Sequence, residues 1–117
     1  MALDRKQFLA RLAASFPEVA AQIRPDEVGL LHCEVGAFRR STEEAIDAGR
    51  LWSAERYFGL VEELLNEAGP DLRNALEVSY LEDLAFWEWT PARYRSIKQC
   101  MPASLRTIFV RFRERWQ

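Results

Sequence analysis

The hydrophobic pattern is strongest between Leu72 and Trp89, where apolar residues occupy nearly every side of a helical wheel. At about 100° per residue, one broad apolar arc contains Leu72, Ala75, Leu76, Tyr80, Phe86 and Trp87, and Val78, Leu81, Leu84 and Ala85 cover most of the rest. A helix that is apolar nearly all round must be surrounded by other helices. The pattern therefore predicts a buried central helix at about 71–88, with Leu76, Tyr80, Leu84 and Trp87 largely buried.

The N-terminal half of the chain also shows helical periods of apolar residues, separated by residues that start or end helices. Asp4 is a plausible N-cap for a first helix whose apolar face ends at Phe16. Pro17 then either starts a short helical turn or ends that first helix. Pro25 begins the next element, and its helical period of apolar residues continues to a predicted C-cap at Gly49.

Three more helices are predicted around the central one. Ser53 should cap a helix that has the most regular amphipathic period of the chain and ends before Gly69. Thr90 should cap a short helix with proline at its first position, and Pro102 should begin the last helix. The apolar stripe of this last helix consists of Leu105, Ile108, Phe109, Phe112 and Trp116.

No segment shows the alternation of a β-strand, and the connections between helices are short. Short connections favour antiparallel packing of consecutive helices. The sequence therefore predicts an all-α fold: a single compact domain over residues 1–117, with five to six helices that form antiparallel hairpins around the buried helix.

Composition narrows the class of protein mainly by exclusion. The chain is 49% hydrophobic and 12% aromatic, which is typical of a globular protein. The first sixteen residues are amphipathic and lack a secretory signal core, and no apolar run is long enough to cross a bilayer. Cys33 and Cys100 fit a reducing compartment better than a disulfide framework. We therefore expect a cytoplasmic protein, or one delivered by a route that needs no leader.

Charge is distributed unevenly, although the formal net charge is only −2. Residues 1–88 contain 17 Asp and Glu against 9 Lys and Arg, whereas residues 89–117 contain one acid against 7 Lys and Arg. One hypothesis is that the basic C-terminal helix packs on the acidic body and neutralises it. Nucleic-acid binding through the basic helix is a second hypothesis, but its aromatic residues lie on the core stripe and the acidic body would repel phosphate.

Candidate catalytic chemistry is sparse. His32, Cys33 and Glu34 are consecutive, so their side chains point in different directions on a helix and cannot easily hold one metal ion. We expect instead a partly buried histidine and cysteine at the start of a helix. Ser79 and Ser104 lack the context of a nucleophile elbow, and the five scattered glycines form no phosphate-binding loop. The sequence therefore predicts no enzymatic activity, no metal and no cofactor.

Glu82 and Asp83 have the most unusual predicted surroundings. A straight α-helical wheel places Asp83 inside the apolar arc, and both carboxylates lie near a helix C-terminus, where the macrodipole disfavours negative charge. A buried carboxylate needs a cation or several donors. The favoured hypothesis is a structural ion pair with an arginine of the last helices, and the alternative is an exposed acidic notch that receives a basic partner.

A series of short motifs runs through residues 5–88. They are Phe8-Leu9-x-x-Leu12 with Phe16-Pro17, Gly29-Leu30-Leu31-His32, Gly36-x-Phe38, Glu62-Glu63-Leu64-Leu65, and Leu72-Arg73-Asn74-Ala75-Leu76-x-Val78-Ser79-Tyr80-Leu81-Glu82-Asp83-Leu84. This series resembles a small bacterial all-helical domain family of uncharacterised function, most specifically from Val78 to Leu84. Tyr80 stands where that family often has Phe. Its members resemble immunity proteins of polymorphic-toxin systems, so the resemblance implies a stoichiometric inhibitor without catalytic residues.

Two classes of function follow. The first is an immunity-type protein that binds a cognate bacterial toxin and occludes a basic active site, with electrostatic complementarity speeding association. The second is a helical adaptor or oligomerisation domain without a toxin partner. For the first class, the expected partner-binding residues are the acids on the two helices before Gly69. They are Glu34, Glu43, Glu44, Asp47, Glu55, Glu62 and Glu63. No membrane partner is expected.

Overall fold

Helices account for nearly all regular structure in the computed structural model, which describes residues 2–115. Within this range the seven helices are α1 (Arg5–Ser15), α2 (Pro17–Ala20), α3 (Leu31–Asp47), α4 (Leu51–Glu67), α5 (residues 70–86), α6 (Pro91–Cys100) and α7 (Ala103–Arg115). Helix α5 is built from three consecutive segments: Pro70–Ala75, the π-helical Leu76–Glu82, and Asp83–Phe86. The all-α fold is confirmed, with more helices than the predicted five or six.

The predicted helix starts are confirmed in part. Asp4 caps α1 through a capping box, in which its carboxylate accepts from the backbone N–H of Gln7 at 3.0 Å. Thr90 caps α6 by accepting from the N–H of Arg93 at 3.2 Å. Ser53 as a cap is wrong, because α4 already begins at Leu51. Leu51 packs against the core, so burial extends the helix beyond the residue that sequence would choose.

The start of α3 also differs from the prediction. The element was expected from Pro25, but residues 25–30 form turns that pass through Gly29 at φ +93° before α3 begins. His32 and Cys33 do lie at the start of the helix, yet both are exposed rather than partly buried. In the first turns of α3, Glu34 and Val35 take the inward positions instead, so the two preceding residues face solvent.

The core is shared by α3 and α5, which pack against each other and together contact most other helices. Leu76, Tyr80 and Leu84 are fully buried, as predicted. The ring of Tyr80 lies edge-on to that of Phe38 in α3, with centroids 5.1 Å apart. The radius of gyration is 13.3 Å, close to the roughly 13 Å expected of one folded domain of this length. Antiparallel hairpin packing of consecutive helices stays a prediction.

The prediction that Trp87 is buried is wrong, because α5 ends before it. Trp87 is the C-cap of the helix and has extended backbone, with ψ 146°. Trp87 is 58% exposed, Phe86 is 59% exposed, and the carboxylate side chain of Asp83 is 52% exposed. A π-turn adds about one residue to the α-helical turn. Asp83, which follows the π-helical segment and was placed inside the apolar arc by a straight α-helical wheel, is accordingly exposed, whereas Leu84 and Ala85 are buried.

Candidate functional site

Glu34, the first of the seven predicted binding acids, lies in the interior. Its side chain is 1% exposed and is held by Nε and Nη2 of Arg5, each at 2.7 Å. The backbone N–H of Gly29 donates a third hydrogen bond at 3.1 Å. The Arg5 hydrogen bonds lower the pKa of Glu34 against the opposing effect of burial, and the Gly29 N–H helps. Glu34 therefore anchors α1 and the turn before α3, and it offers no surface charge to a partner.

Glu43 forms part of an acidic cluster between α3 and α5. It pairs with Nε of Arg39 at 3.3 Å, and Nη1 of the same arginine pairs with Asp83 at 2.9 Å. Burial is the main cause that raises the pKa of Glu43; Arg39 opposes it, and the charges of Asp47 and Asp83 add to it. One guanidinium thus serves two carboxylates, and three acids from two helices lie within electrostatic range of each other.

The two acids at the C-terminal end of α3 differ from Glu34 and Glu43 in having no ion pair. Glu44 and Asp47 are exposed, and neither carboxylate makes an ion pair with any residue in the range 2–115. The charge of Glu44 still reaches Arg40, whose pKa is raised mainly by its hydrogen bonds to Glu27. Asp47 therefore extends the cluster of Glu43 and Asp83 towards solvent, whereas Glu44 lies within electrostatic range of Arg40.

The acids of α4 face other neighbours. Glu62 accepts a hydrogen bond from the hydroxyl of Ser104 in α7. Glu55 is exposed beside a shallow cleft that Cys100 also lines. Glu63 is exposed on the side of α1, where its charge adds to that of Glu67 in raising the pKa of Arg11. The acids of α4 therefore lie beside α1, α6 and α7, whereas in α3 Glu34 lies beside α1 and Glu43 beside α5.

Glu82 makes the ion pair that the favoured hypothesis predicted, with Nη1 of Arg115 in α7 at 3.7 Å. Asp83, its neighbour, pairs with Arg39 of α3 instead. Consecutive side chains point in different directions on a helix, so Glu82 and Asp83 face different neighbours of α5.

Arginines of the basic C-terminal quarter bind backbone carbonyls at helix ends. At distances of 2.6–3.0 Å, Arg93 donates to Ile46 and Asp47 at the end of α3, Arg106 to Lys98 and Met101 at the end of α6, and Arg113 to Ala85 and Trp87 at the end of α5. Carbonyls of the last turn lack intrahelical partners and carry partial negative charge. Three guanidiniums of the basic region are therefore engaged at helix C-termini.

A histidine–serine contact between α3 and α5 was missed by the sequence analysis. Nδ1 of His32 lies 2.6 Å from Oγ of Ser79, in the π-helical segment, and Nη1 of Arg39 donates to the Ser79 carbonyl at 3.0 Å. The pair resembles a nucleophile and its base, but a hydrolase also needs an orienting group and oxyanion donors. Because the two residues are 47 positions apart, no local pattern could have brought them together.

Two exposed tryptophans differ in their surroundings. Trp52 on α4 is 70% exposed, and the guanidinium of Arg56 lies 4.7 Å from the centre of its ring. Trp87 follows α5 and, with Phe86 and Glu88, lines a shallow hollow. Among residues 2–115, no cation lies over the Trp87 ring.

Two features are absent from residues 2–115: a group of side chains that could hold a metal ion, and a helix that could span a bilayer. No three residues of the types His, Cys, Asp and Glu are grouped so as to hold a metal ion there. None of the helices in the same range combines the length and the apolar character that crossing a bilayer requires.

Comparison with known proteins finds one matching family. A family model described as "Domain of unknown function (DUF7674)" matches residues 9–117. The match includes α6 and α7, which lie beyond the resemblance noted over residues 5–88. No curated protein matches the chain, and no solved structure does. The family description says nothing of toxins or immunity.

Proposed function

Because the chain belongs to the DUF7674 family, whose description assigns no function, we propose a function from its surface: it binds a basic protein partner and occludes it. The finer form of this proposal is an immunity-type inhibitor of a cognate bacterial toxin, as the Val78 to Leu84 segment suggests by resemblance. One observation carries the proposal. Glu44 and Asp47 are exposed at the end of α3 without a counterion in the described chain.

Neighbouring cations on α3 are already engaged, which is why this charge is available. Arg40 is bound to Glu27, with its Nη2 at 2.9 Å from the carboxylate. Arg39 is shared between Glu43 and Asp83. An exposed excess of negative charge attracts positive charge over one Debye length, which is about 8 Å at physiological salt. A basic active site would therefore be drawn to this end of α3 and covered there without any chemistry by the inhibitor.

A cytoplasmic location is part of the same proposal. Both cysteines are free thiols, and the pKa of the Cys100 thiol is raised by burial, so it stays protonated and unreactive at neutral pH. The alternative function, an adaptor or oligomerisation domain without a toxin, differs in a measurable way. It would give no growth protection against any toxin encoded beside the gene for this chain.

The decisive experiment compares two charge-reversal variants of equal size. The chain is co-produced with the protein encoded by the adjacent gene, and both growth protection and association rate are measured across ionic strength. We expect Glu44→Lys with Asp47→Lys to slow association by about tenfold at low salt, and the difference to shrink as salt rises. Glu55→Lys with Glu63→Lys is the matched control, because these exposed acids lie beside other elements. Equal effects of the two variants would show that position on α3 is irrelevant.

A second variant separates occlusion from catalysis. His32→Ala removes the only imidazole of the chain and its contact with Ser79. Since occlusion needs no proton transfer, we expect full protection by this variant. Loss of protection in a folded His32→Ala protein would instead favour a catalytic role for the histidine–serine pair.

A further inference from the structure

The solvent side of α4 combines an aromatic side chain, two opposite charges and a glycine. Residues at steps of three or four share one side of a helix, and four such positions form what we call the outer face of α4: Trp52, Arg56, Gly59 and Glu63. Trp52 is 70% exposed, more than any other large hydrophobic side chain in residues 2–115. Arg56 and Glu63 are exposed as well. This face therefore packs against no other part of the described chain.

Gly59 lies in the middle of α4, where the fold itself does not require a glycine. Apart from its chain neighbours and its own helix backbone, no atom lies within 4 Å of the place that a Cβ would take. Glycine also weakens the interior of a helix relative to residues with a side chain. Packing within one chain thus gives no reason for the glycine. Close approach of a second helix would give one, because the distance between packed helices depends on the side chains at the contact.

The two charged side chains of the outer face make no ion pair with any residue in the range 2–115. The guanidinium of Arg56 lies 4.7 Å from the ring centre of Trp52 and 5.2 Å from that of Phe16. These rings hold it in place but supply no carboxylate. The charge of Glu63 acts on Arg11, yet Arg11 is bound through both of its Nη atoms to Glu67. An acid and a base on one face are therefore both available to a partner.

The outer face is complementary to itself when two helices run in opposite directions. Arg56 stands three residues before Gly59, and Glu63 stands four residues after it. Two antiparallel helices that cross at Gly59 place Arg56 of each copy opposite Glu63 of the other. Parallel helices in the same register would instead bring the two copies of Arg56 together, and like charges repel. Charge therefore selects the antiparallel arrangement, which a two-fold axis generates.

We propose that the chain forms a two-fold dimer through the outer face of α4, with a second copy as the occupant. The two helices cross at Gly59, and each Arg56 pairs with Glu63 of the other copy. Each Trp52 covers the last turn of the other α4 beside Asn66, which is exposed. Tryptophan and arginine are the side chains most often found at the energetic centre of interfaces. The dimer uses neither Glu44 nor Asp47, so this inference does not rest on the proposed function.

Sedimentation equilibrium of the full chain over a range of concentrations tests the dimer, and Gly59→Gln tests the crossing point. We expect the wild type to show a monomer–dimer equilibrium. Gly59→Gln should weaken dimerisation by about tenfold or more, because its side chain holds the two backbones apart. At concentrations where both proteins are monomeric, the variant should resist urea better than the wild type, since glutamine favours a helix. A less stable variant would show that the fold needs the glycine, and would overturn the proposal.

Charge exchange tests the pairing between copies. Arg56→Glu and Glu63→Arg should each weaken the dimer by about tenfold or more, and the combined variant should regain it because the opposite charges face each other again. Glu44→Lys with Asp47→Lys is the matched control, which reverses exposed acids elsewhere and should leave the dimer intact. A combined variant that stays monomeric would contradict the antiparallel pairing.

Tryptophan replacements locate the apolar contact. Trp52→Ala should weaken the dimer, whereas Trp87→Ala removes an exposed tryptophan elsewhere and should not. Equal weakening by the two variants would overturn the proposal, as would a wild-type dimer that Gly59→Gln leaves unchanged. A wild type that is monomeric at every concentration would also overturn it, and would leave the outer face of α4 to an unlike protein.

One variant separates this inference from the proposed function. If Glu63→Arg is monomeric and still protects against the adjacent toxin in full, the dimer stands as a separate property of the chain. If no adjacent toxin exists and the wild type is dimeric through Gly59, the inhibitor function falls and the dimer stands.

Discussion

Helices α3 and α5 both contribute to the core, but their sequences differ in polarity. Helix α5 is apolar nearly all round and nevertheless leaves Phe86 and Trp87 in solvent. Helix α3 is mixed in polarity, yet it buries Glu34, Ser41 and Thr42 completely or nearly so. At these particular positions the polarity of a residue does not predict its burial.

The difference between α3 and α5 lies in where partners are available. Glu34 is buried because Arg5 and the Gly29 N–H satisfy its carboxylate. Thr42 is buried because its hydroxyl donates to the carbonyl of Phe38 at 3.1 Å and accepts from the hydroxyl of Tyr80 at 2.5 Å. After α5 ends at Phe86, the extended backbone of Trp87 leaves its side chain 58% exposed. A polar side chain is thus buried where hydrogen-bond partners satisfy it, and an apolar side chain stays exposed where the helix ends before it.

The largest effect should come from removing a core side chain of α5. Leu76→Ala should lower the free energy of unfolding by about 2–5 kcal/mol, because Leu76 is fully buried and truncation leaves a cavity. Val78→Ala is the control in the same π-helical segment: Val78 is 37% exposed, and its loss should cost under about 1 kcal/mol. Urea denaturation measures both. Similar losses at the two positions would mean that the buried face of α5 is misassigned.

The second-largest loss of stability should come from replacing Glu34, the buried carboxylate of α3, and this loss should depend on pH. Glu34→Gln should cost about 1–3 kcal/mol at neutral pH, because it removes the charge that Arg5 binds inside the fold. Arg5 lowers the pKa of Glu34 below its ordinary value of 4.5, so the stabilisation is complete above that value and is lost as the pH falls through the folded pKa. The stability gap between wild type and variant should therefore narrow in acid.

Glu43→Gln, on the same helix, should change the pH dependence of stability in the opposite direction. Burial raises the pKa of Glu43, so folding favours its protonated form, and that contribution is present at low pH and lost as the pH rises through the folded pKa. The wild type should accordingly gain stability relative to Glu43→Gln as the pH falls. Denaturation of both variants between pH 3 and 7, a range of about four units around the ordinary carboxyl pKa, checks the two signs. Parallel curves would contradict the assigned environments.

The smallest effect tests the hydrogen bond that joins the two helices. Tyr80→Phe should cost about 0.5–1.5 kcal/mol, because Thr42 keeps its bond to the Phe38 carbonyl and loses only the donor from Tyr80. Tyr57→Phe should cost less, since the hydroxyl of Tyr57 reaches the exposed Glu18 at 3.1 Å. A double-mutant cycle with Thr42→Val isolates the pair. A coupling energy near zero would mean that the two hydroxyls act independently.

Local patterns were enough to predict the fold class, most helices and much of the core. Leu76, Tyr80 and Leu84 follow from helical periodicity, and Asp4 and Thr90 follow from capping chemistry. These predictions succeed because periodicity and capping involve residues within a few positions of each other. The charge asymmetry between residues 1–88 and 89–117 was also visible in the sequence, but the groups that these charged side chains contact were not.

Only the tertiary structure decided where the charges and the last aromatic side chains go. Glu34 was predicted to face a partner and is bound to Arg5, 29 positions earlier, while Arg93 reaches carbonyls 46 and 47 positions earlier. Trp87 was predicted in the core and lies outside it, because α5 ends at Phe86 and the backbone of Trp87 is extended. Long-range pairing and helix register depend on which helices pack together, and that information is distributed over the whole chain.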